Sequence, residues 1–170
     1  MQLIAGTWDA AWGHTWIARG SGKIYSLRSL AQGSSLCVRD ARTGASLGEF
    51  PSAGKHACHI TLLDREAVVS DYTSGTLSVY PLGPDGLPSG APATLAFSGS
   101  GPDPDRQTGP HIHSSWPSPD GRSLVVADLG SDAIYRFALD SGHLVKDSRE
   151  LFPMPAGCGP RHCCFGNGVL

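Results

Sequence analysis

The amino-acid sequence predicts an all-β chain of short strands joined by many turns. Its 22 glycines and 13 prolines make up about a fifth of the chain, and both residue types are unfavourable inside helices. Several segments alternate apolar and polar residues and are rich in β-branched and aromatic side chains, which is the pattern of strands. With 170 residues, 40% of them hydrophobic, the chain is long enough for one domain with a packed core.

Two segments, 67–82 and 124–139, resemble each other without a gap at an offset of 57 residues. In each, an apolar strand that ends in aspartate (VVSD or VVAD) leads through a short polar turn into an alternating strand. We therefore expect almost no helix, and strands near 67–71, 76–82, 123–128 and 133–139. The two aspartates, Asp71 and Asp128, are expected to cap the turns through Asx-type hydrogen bonds.

Histidines precede these units at intervals of about 50 residues, at positions 14, 59, 113 and 162. A period near 50 with several strands per period is typical of β-propeller blades, each of which is a four-stranded sheet. We expect residues 1–170 to form a partial β-propeller of roughly three and a half four-stranded blades, whose units begin near those four histidines, the last unit being truncated. An antiparallel sandwich or meander is the alternative architecture.

Composition excludes several other classes of protein. The net charge of −2 argues against a nucleic-acid partner, which would require a basic patch, and no apolar stretch approaches the length of a membrane-spanning helix. The N-terminus lacks the features of a secretory signal. Five cysteines without a C-x-x-C motif indicate a reduced, cytoplasmic chain with no metal and no cofactor.

An ordered set of motifs carries a family resemblance over about residues 56 to 165. The motifs are RQTGPHIHSS at 106–115, SPDGR at 118–122, VADLGSD at 126–132, YRF at 135–137 and GCGPRH at 157–162. Together they resemble the seven-bladed β-propeller lactonase family, which includes bacterial-type 6-phosphogluconolactonase and fungal carboxy-cis,cis-muconate cyclase. The resemblance implies that this chain forms about half of a seven-bladed ring.

The resemblance also implies a site at one mouth of the central channel, built from a histidine, arginines and a glutamate. The second histidine of the family's Gly-Pro-His-x-His motif matches His113, and the arginine of Gly-Pro-Arg-His matches Arg161. The family glutamate lies in the strand after Gly-Pro-Arg-His, where this sequence has residues 166–170, so we expect that glutamate and a later arginine to be absent. Whether this chain is a competent enzyme is therefore left open.

These residue types suit the opening of a lactone. A histidine with a pKa near neutrality can deprotonate water, and an arginine can polarise a carbonyl or grip a phosphate or carboxylate. His113 and Arg161 begin successive units, so we expect them on the same face. The structural alternative for His113 is a turn histidine bonded to the backbone, and for Arg161 it is a surface or inter-blade salt bridge. His111 is expected to bind substrate or to orient His113. His59 and His162 recur at the same predicted blade position, and we interpret both as structural.

The leading hypothesis is a lactone hydrolase of the 6-phosphogluconolactonase type, acting on an anionic sugar lactone in carbohydrate metabolism. One alternative is a lyase of the muconate cyclase type, and another is a non-catalytic propeller fragment. The expected partner is a small anionic lactone, without nucleic acid or membrane, and open blade edges could also support self-association. The Gly/Pro-rich loop 99–106 is expected to be either a flexible connection or a lid over the channel mouth.

Overall fold

A computed structural model of the protein describes residues 14–30 and 32–166, which form three successive antiparallel sheets. The first sheet, blade 1, pairs in chain order β1 (His14–Gly20), β2 (Lys23–Leu30), β3 (Gly33–Asp40) and β4 (Ser46–Ser52). Blade 2 pairs β5 (Ala57–Leu62), β6 (Glu66–Asp71), β7 (Thr76–Pro81) and β8 (Ala93–Ala96). Blade 3 pairs β9 (Ile112–Pro117), β10 (Ser123–Asp128), β11 (Ala133–Asp140) and β12 (His143–Leu144), and β13 (Glu150–Pro153) also pairs with β11.

The predicted strands and the scarcity of helix are confirmed. In the described part of the chain the single helical element is a 3₁₀ turn, Lys146–Ser148. The pairing between strands repeats with the same 57-residue offset, because Asp71 pairs with Thr76 in blade 2 and Asp128 pairs with Ala133 in blade 3. Residues 1–13, residue 31 and residues 167–170 lie outside the described residues, so the segment where the family glutamate is expected to be absent is described only at Gly166.

The first strands of blades 2 and 3 follow a different offset. Ala57 lies opposite Asp71, and Ile112 lies opposite Asp128, so these strands correspond at an offset of 55 residues. The loop between β9 and β10 is two residues longer than the one between β5 and β6, which accounts for the difference. By strand pairing, His113 therefore corresponds to Cys58, and His59 corresponds to Ser114.

Strand β6 lies between two other sheets and is buried along its whole length. Successive side chains of a strand point to opposite faces. Ala67 and Val69 accordingly pack with Tyr25 of blade 1, whereas Val68 packs with Val126 of blade 3. Each fully buried aliphatic side chain contributes about 1.5–3 kcal/mol, so the apolar faces hold neighbouring blades together.

Buried polar groups link the blades as well. The Tyr25 hydroxyl donates a hydrogen bond to the Gly86 carbonyl (2.7 Å), joining blades 1 and 2. The backbone N–H of Leu144 donates to Oε2 of Glu66 (2.7 Å), joining blades 3 and 2. Because such bonds are directional, they define the relative placement of the blades more narrowly than apolar contact alone.

The face of blade 3 that points away from blade 2 is covered in part by the chain after β13. Val125, Ala127 and Ile134 form a small buried cluster there, against which Cys163 and Phe165 pack. The segment that carries the Gly-Pro-Arg-His motif is thereby held against blade 3, close to the start of β9.

The two repeated aspartates, Asp71 and Asp128, make different hydrogen bonds. Asp128 accepts hydrogen bonds from the N–H groups of Gly130 (3.0 Å) and Ser131 (3.3 Å), which confirms the expected cap. Asp71 is completely buried, and its Oδ1 has no partner among the described residues. Its Oδ2 accepts only the hydroxyl groups of Ser78 (2.7 Å) and Thr76 (3.4 Å), so the capping role expected for Asp71 is wrong. Burial raises the pKa of Asp71 to about 6.

We predict that Asp71→Asn stabilises the fold at neutral pH. The pKa of Asp71 in the folded protein, about 6, exceeds the ordinary aspartate value of 3.8, so the folded state binds this proton more tightly. The free energy of unfolding should therefore fall as the pH rises from about 4 to about 6, and stay lower above that. The substitution should remove this loss, worth on the order of 2–3 kcal/mol at pH 7 and nearly nothing at pH 4. Urea unfolding at both pH values measures it.

The matched control is Asp128→Asn in the next blade. Replacing Oδ2 by an amide disturbs a carboxylate that the surrounding N–H and O–H groups already satisfy, so this variant should lose about 1 kcal/mol or more. An Asp71→Asn variant that is as destabilised as this control at pH 7 would contradict the assignment of a costly buried charge to Asp71.

Candidate active site

His113 lies near the start of β9, among aromatic side chains. The ring of His162 meets it edge-on with centroids 5.1 Å apart, and the ring of Tyr72 does so at 6.0 Å. Its Nδ1 is buried without a well-formed hydrogen bond in the described part of the chain. Burial lowers the pKa of His113, and the charges of His162 and Arg161 lower it further.

Arg161 is attached to the same strand through its backbone. Its carbonyl oxygen accepts a hydrogen bond from the hydroxyl of Ser114 (2.6 Å), and Ser114 directly follows His113. The structure thus brings the two predicted catalytic residues into one cluster. The guanidinium of Arg161 is exposed and borders a cavity of about 170 Å³, which His113 does not line.

His111 is oriented by Tyr72 of the preceding blade. The two rings stack with centroids 4.4 Å apart and planes inclined by 8°. Nδ1 of His111 donates to the Tyr72 carbonyl oxygen (2.9 Å), and the backbone N–H of His111 donates to Oδ1 of Asp128 (2.8 Å). Since Nδ1 carries the proton of the neutral ring, Nε2 remains an acceptor. His111 is connected to His113 through Tyr72, whose ring contacts both.

His59 is the buried member of the histidine cluster. Its ring lies between Trp16 (4.4 Å) and Trp116 (4.8 Å), and its Nδ1 accepts the backbone N–H of Ser115 (3.4 Å). Burial, with the charges of His162 and His113, lowers its pKa to about 4, so His59 is neutral at physiological pH. A neutral ring packed between two indoles agrees with the structural role expected for it.

His162 was expected to be structural, yet it touches the ring of His113. The sequence held a signal for this position, because His162 directly follows Arg161 in the motif. Recurrence of histidine at the start of each unit pointed instead to a purely architectural role, and only the three-dimensional arrangement shows the contact.

Gln107 and Asp132 form a buried polar pair that sequence reasoning missed. The Gln107 side-chain amide donates to Oδ1 of Asp132 (2.7 Å) and to the carbonyl of Leu129 (2.8 Å). Asp132 also accepts the N–H groups of Gly157 (2.7 Å) and Gly159 (2.8 Å). Burial alone would raise the pKa of Asp132, but these hydrogen bonds outweigh it and the pKa is lowered. Asp132 lies in the left-handed region at φ 49°, a conformation rare outside glycine.

The Gly/Pro-rich loop is fastened to this pair. The N–H of Gly101 donates to the Gln107 carbonyl (2.9 Å), and the N–H of Asp103 donates to Oε1 of the Gln107 side chain (3.1 Å). The loop forms one wall of the 170 Å³ cavity, beside Arg161.

The described residues contain no group of three or more His, Cys, Asp or Glu side chains arranged to hold a metal ion. None of the helices in that part of the chain is long and apolar enough to span a bilayer. All five cysteines are free.

A family comparison decides the identity of the fold. The profile described as Lactonase, 7-bladed beta-propeller matches residues 13–169. The chain belongs to the seven-bladed β-propeller lactonase family. Its three described blades are therefore blades of such a propeller, as the repeat and the motifs predicted.

Curated members of the lactonase family align with most of this chain. A 6-phosphogluconolactonase from Bacillus subtilis is 33% identical over 114 residues, which are 66% of this chain and 32% of the relative. A 6-phosphogluconolactonase from Formosa agariphila is 30% identical over 118 residues, 66% of this chain and 33% of the relative. The chain therefore spans about a third of the length of the curated relatives it matches.

Solved structures of lactonase type superpose on the described blades. A candidate 6-phosphogluconolactonase from Bacteroides fragilis matches with a TM-score of 0.76 and 28% identity, over 91% of this chain and 48% of its own. One from Bacteroides uniformis matches with a TM-score of 0.75 and 32% identity, over 86% and 45%. This chain thus spans about half of each of these structures.

We predict that His162→Gln raises the pKa of His113. The substitution removes a neighbouring positive charge that disfavours protonation of His113, so the titration of His113 should move up toward the ordinary histidine value of about 6.5. Histidine ring signals followed by NMR between pH 4 and 8 measure the shift. His143→Gln, which alters an exposed histidine on β12, is the control and should leave the His113 curve in place. An unchanged curve in both variants would contradict the contribution of His162 and leave burial and Arg161 as the causes of the lowered pKa.

Proposed function

We propose that this protein is a lactone hydrolase of the 6-phosphogluconolactonase type, acting on an anionic sugar lactone in the cytoplasm as part of carbohydrate metabolism. The names of the aligned relatives support this substrate class. The observation that carries the proposal is the position of His113, with its lowered pKa, beside the backbone of Arg161. Such an imidazole is neutral at pH 7 and can accept a proton from water.

In the proposed reaction, His113 acts as a general base through Nε2. It removes a proton from water as the oxygen attacks the lactone carbonyl carbon, which becomes tetrahedral. When the ring C–O bond breaks, the protonated His113 returns its proton to the departing ring oxygen, and the product is the open-chain hydroxy acid. The lowered pKa of His113 makes its protonated form a stronger acid for this second step.

Arg161 supplies positive charge next to this base. Its guanidinium is exposed toward the cavity and can interact with an anionic group of the substrate or with the charge that develops on the carbonyl oxygen. We assign His111 a binding role, because its Nε2 is left as an acceptor for a substrate hydroxyl while Nδ1 is held by Tyr72.

We predict that His113→Gln lowers kcat/KM for 6-phosphogluconolactone by about 100-fold or more, since a general base contributes about 10²–10⁴-fold. Hydrolysis measured against the spontaneous rate provides the test.

The kcat/KM of the unaltered protein should rise with pH through an apparent pKa below 6.5 and then level, because only neutral His113 is active.

The control variant is His56→Asn, which alters an exposed histidine of blade 2 at a positive φ that asparagine tolerates. The His56→Asn variant should keep the full rate.

Turnover of carboxymuconate in place of the sugar lactone would assign the protein to the cyclase type instead. A folded protein that turns over neither compound would identify the propeller as non-catalytic.

A further inference from the structure

The 170 Å³ cavity is bordered by two arginines from different loops. Arg106 comes from the loop before β9, and Arg161 from the segment after β13. Both residues are exposed, and among the described residues neither guanidinium has a hydrogen-bonding or ion-pair partner. Two unpaired guanidinium groups at one small cavity form a surface that attracts an anion.

The carboxylates near this cavity are occupied by other donors. Asp103 accepts the backbone N–H groups of Asp105 (2.9 Å) and Arg106 (3.2 Å). Asp132 accepts the amides of Gly157 and Gly159 and the side chain of Gln107. Both carboxylates are thus engaged with N–H groups of the loops, while the arginine side chains stay free for a ligand.

The buried pair of Gln107 and Asp132 holds the two arginine-bearing loops in one arrangement. Gln107 follows Arg106 directly and is 3% exposed, and Asp132, 6% exposed, binds the amides of the segment that leads to Arg161. A cavity wall built on buried, satisfied polar groups loses little conformational entropy on binding.

We propose that Arg106 and Arg161 form a subsite for the phosphate group of the substrate, with Arg106 as a further specificity-determining residue. This inference rests on the proposed lactone hydrolase function. A phosphate monoester carries close to two negative charges at neutral pH, which the two guanidinium groups match. The planar arginine fork also fits phosphate oxygens in a bidentate manner.

The first test measures binding without turnover. Inorganic phosphate is titrated into the full chain at constant ionic strength, and the dissociation constant is obtained from the ligand-dependent rise in melting temperature. Arg106→Gln should weaken binding about tenfold or more, as expected for the loss of a charge-assisted hydrogen bond, and Arg106→Lys should weaken it less. Arg122→Gln, which removes an exposed arginine on the β9–β10 loop of the same blade, should leave it unchanged. Equal effects of Arg106→Gln and Arg122→Gln would overturn the subsite.

The second test compares two substrates. For 6-phosphogluconolactone, Arg106→Gln should raise KM about tenfold with little change in kcat, whereas KM for unphosphorylated gluconolactone should not change. An equal change for both substrates would overturn the subsite and leave the lactonase function standing. Phosphate binding that depends on Arg106 in a protein without lactone turnover would support the subsite and reject the lactonase function. Tighter Arg106-dependent binding of a dicarboxylate than of phosphate would overturn the assignment to phosphate.

Discussion

A strand that is apolar on both faces is stable only when another sheet covers each face. Strand β6 is such a strand, so it requires a sheet on either side. Its alternate side chains enter two separate cores, one shared with blade 1 and one with blade 3. The same condition applies to β10, where Val126 faces blade 2 while Val125 faces the segment that carries Arg161. Radial stacking of sheets satisfies the condition at every step, which is why the repeat leads to a propeller rather than to a two-layer sandwich.

The site depends on this stacking because its residues come from blade 2, blade 3 and the segment that follows blade 3. Tyr72 of blade 2 orients His111 of blade 3, and the hydroxyl of Ser114 in blade 3 binds the carbonyl of Arg161 in the following segment. Packing between blades thus sets the distances among the catalytic candidates.

The sequence predicted the strands well where the repeat is regular and less well where the repeat is broken. The paired strands after VVSD and VVAD follow from alternation and turn residues, which are local properties. The register of β5 and β9 depends on the lengths of the loops that follow them, so the 57-residue offset of the later strands does not extend to these first strands. The roles of Gln107 and Asp132 depend on contacts 25 residues apart, which local patterns do not encode.

The two positions that correspond by register show how one repeat serves both architecture and chemistry. Cys58 in blade 2 and His113 in blade 3 both follow the residue that lies opposite the buried aspartate. Burial, together with the charge of Asp71, raises the pKa of Cys58 to about 12, so its thiol stays protonated and packs against the His113 carbonyl (3.2 Å). His113 is less buried and lies next to the exposed His162 and Arg161. The register gives both side chains equivalent positions in their blades, and the difference in burial keeps the Cys58 thiol protonated while the His113 ring lies beside exposed neighbours.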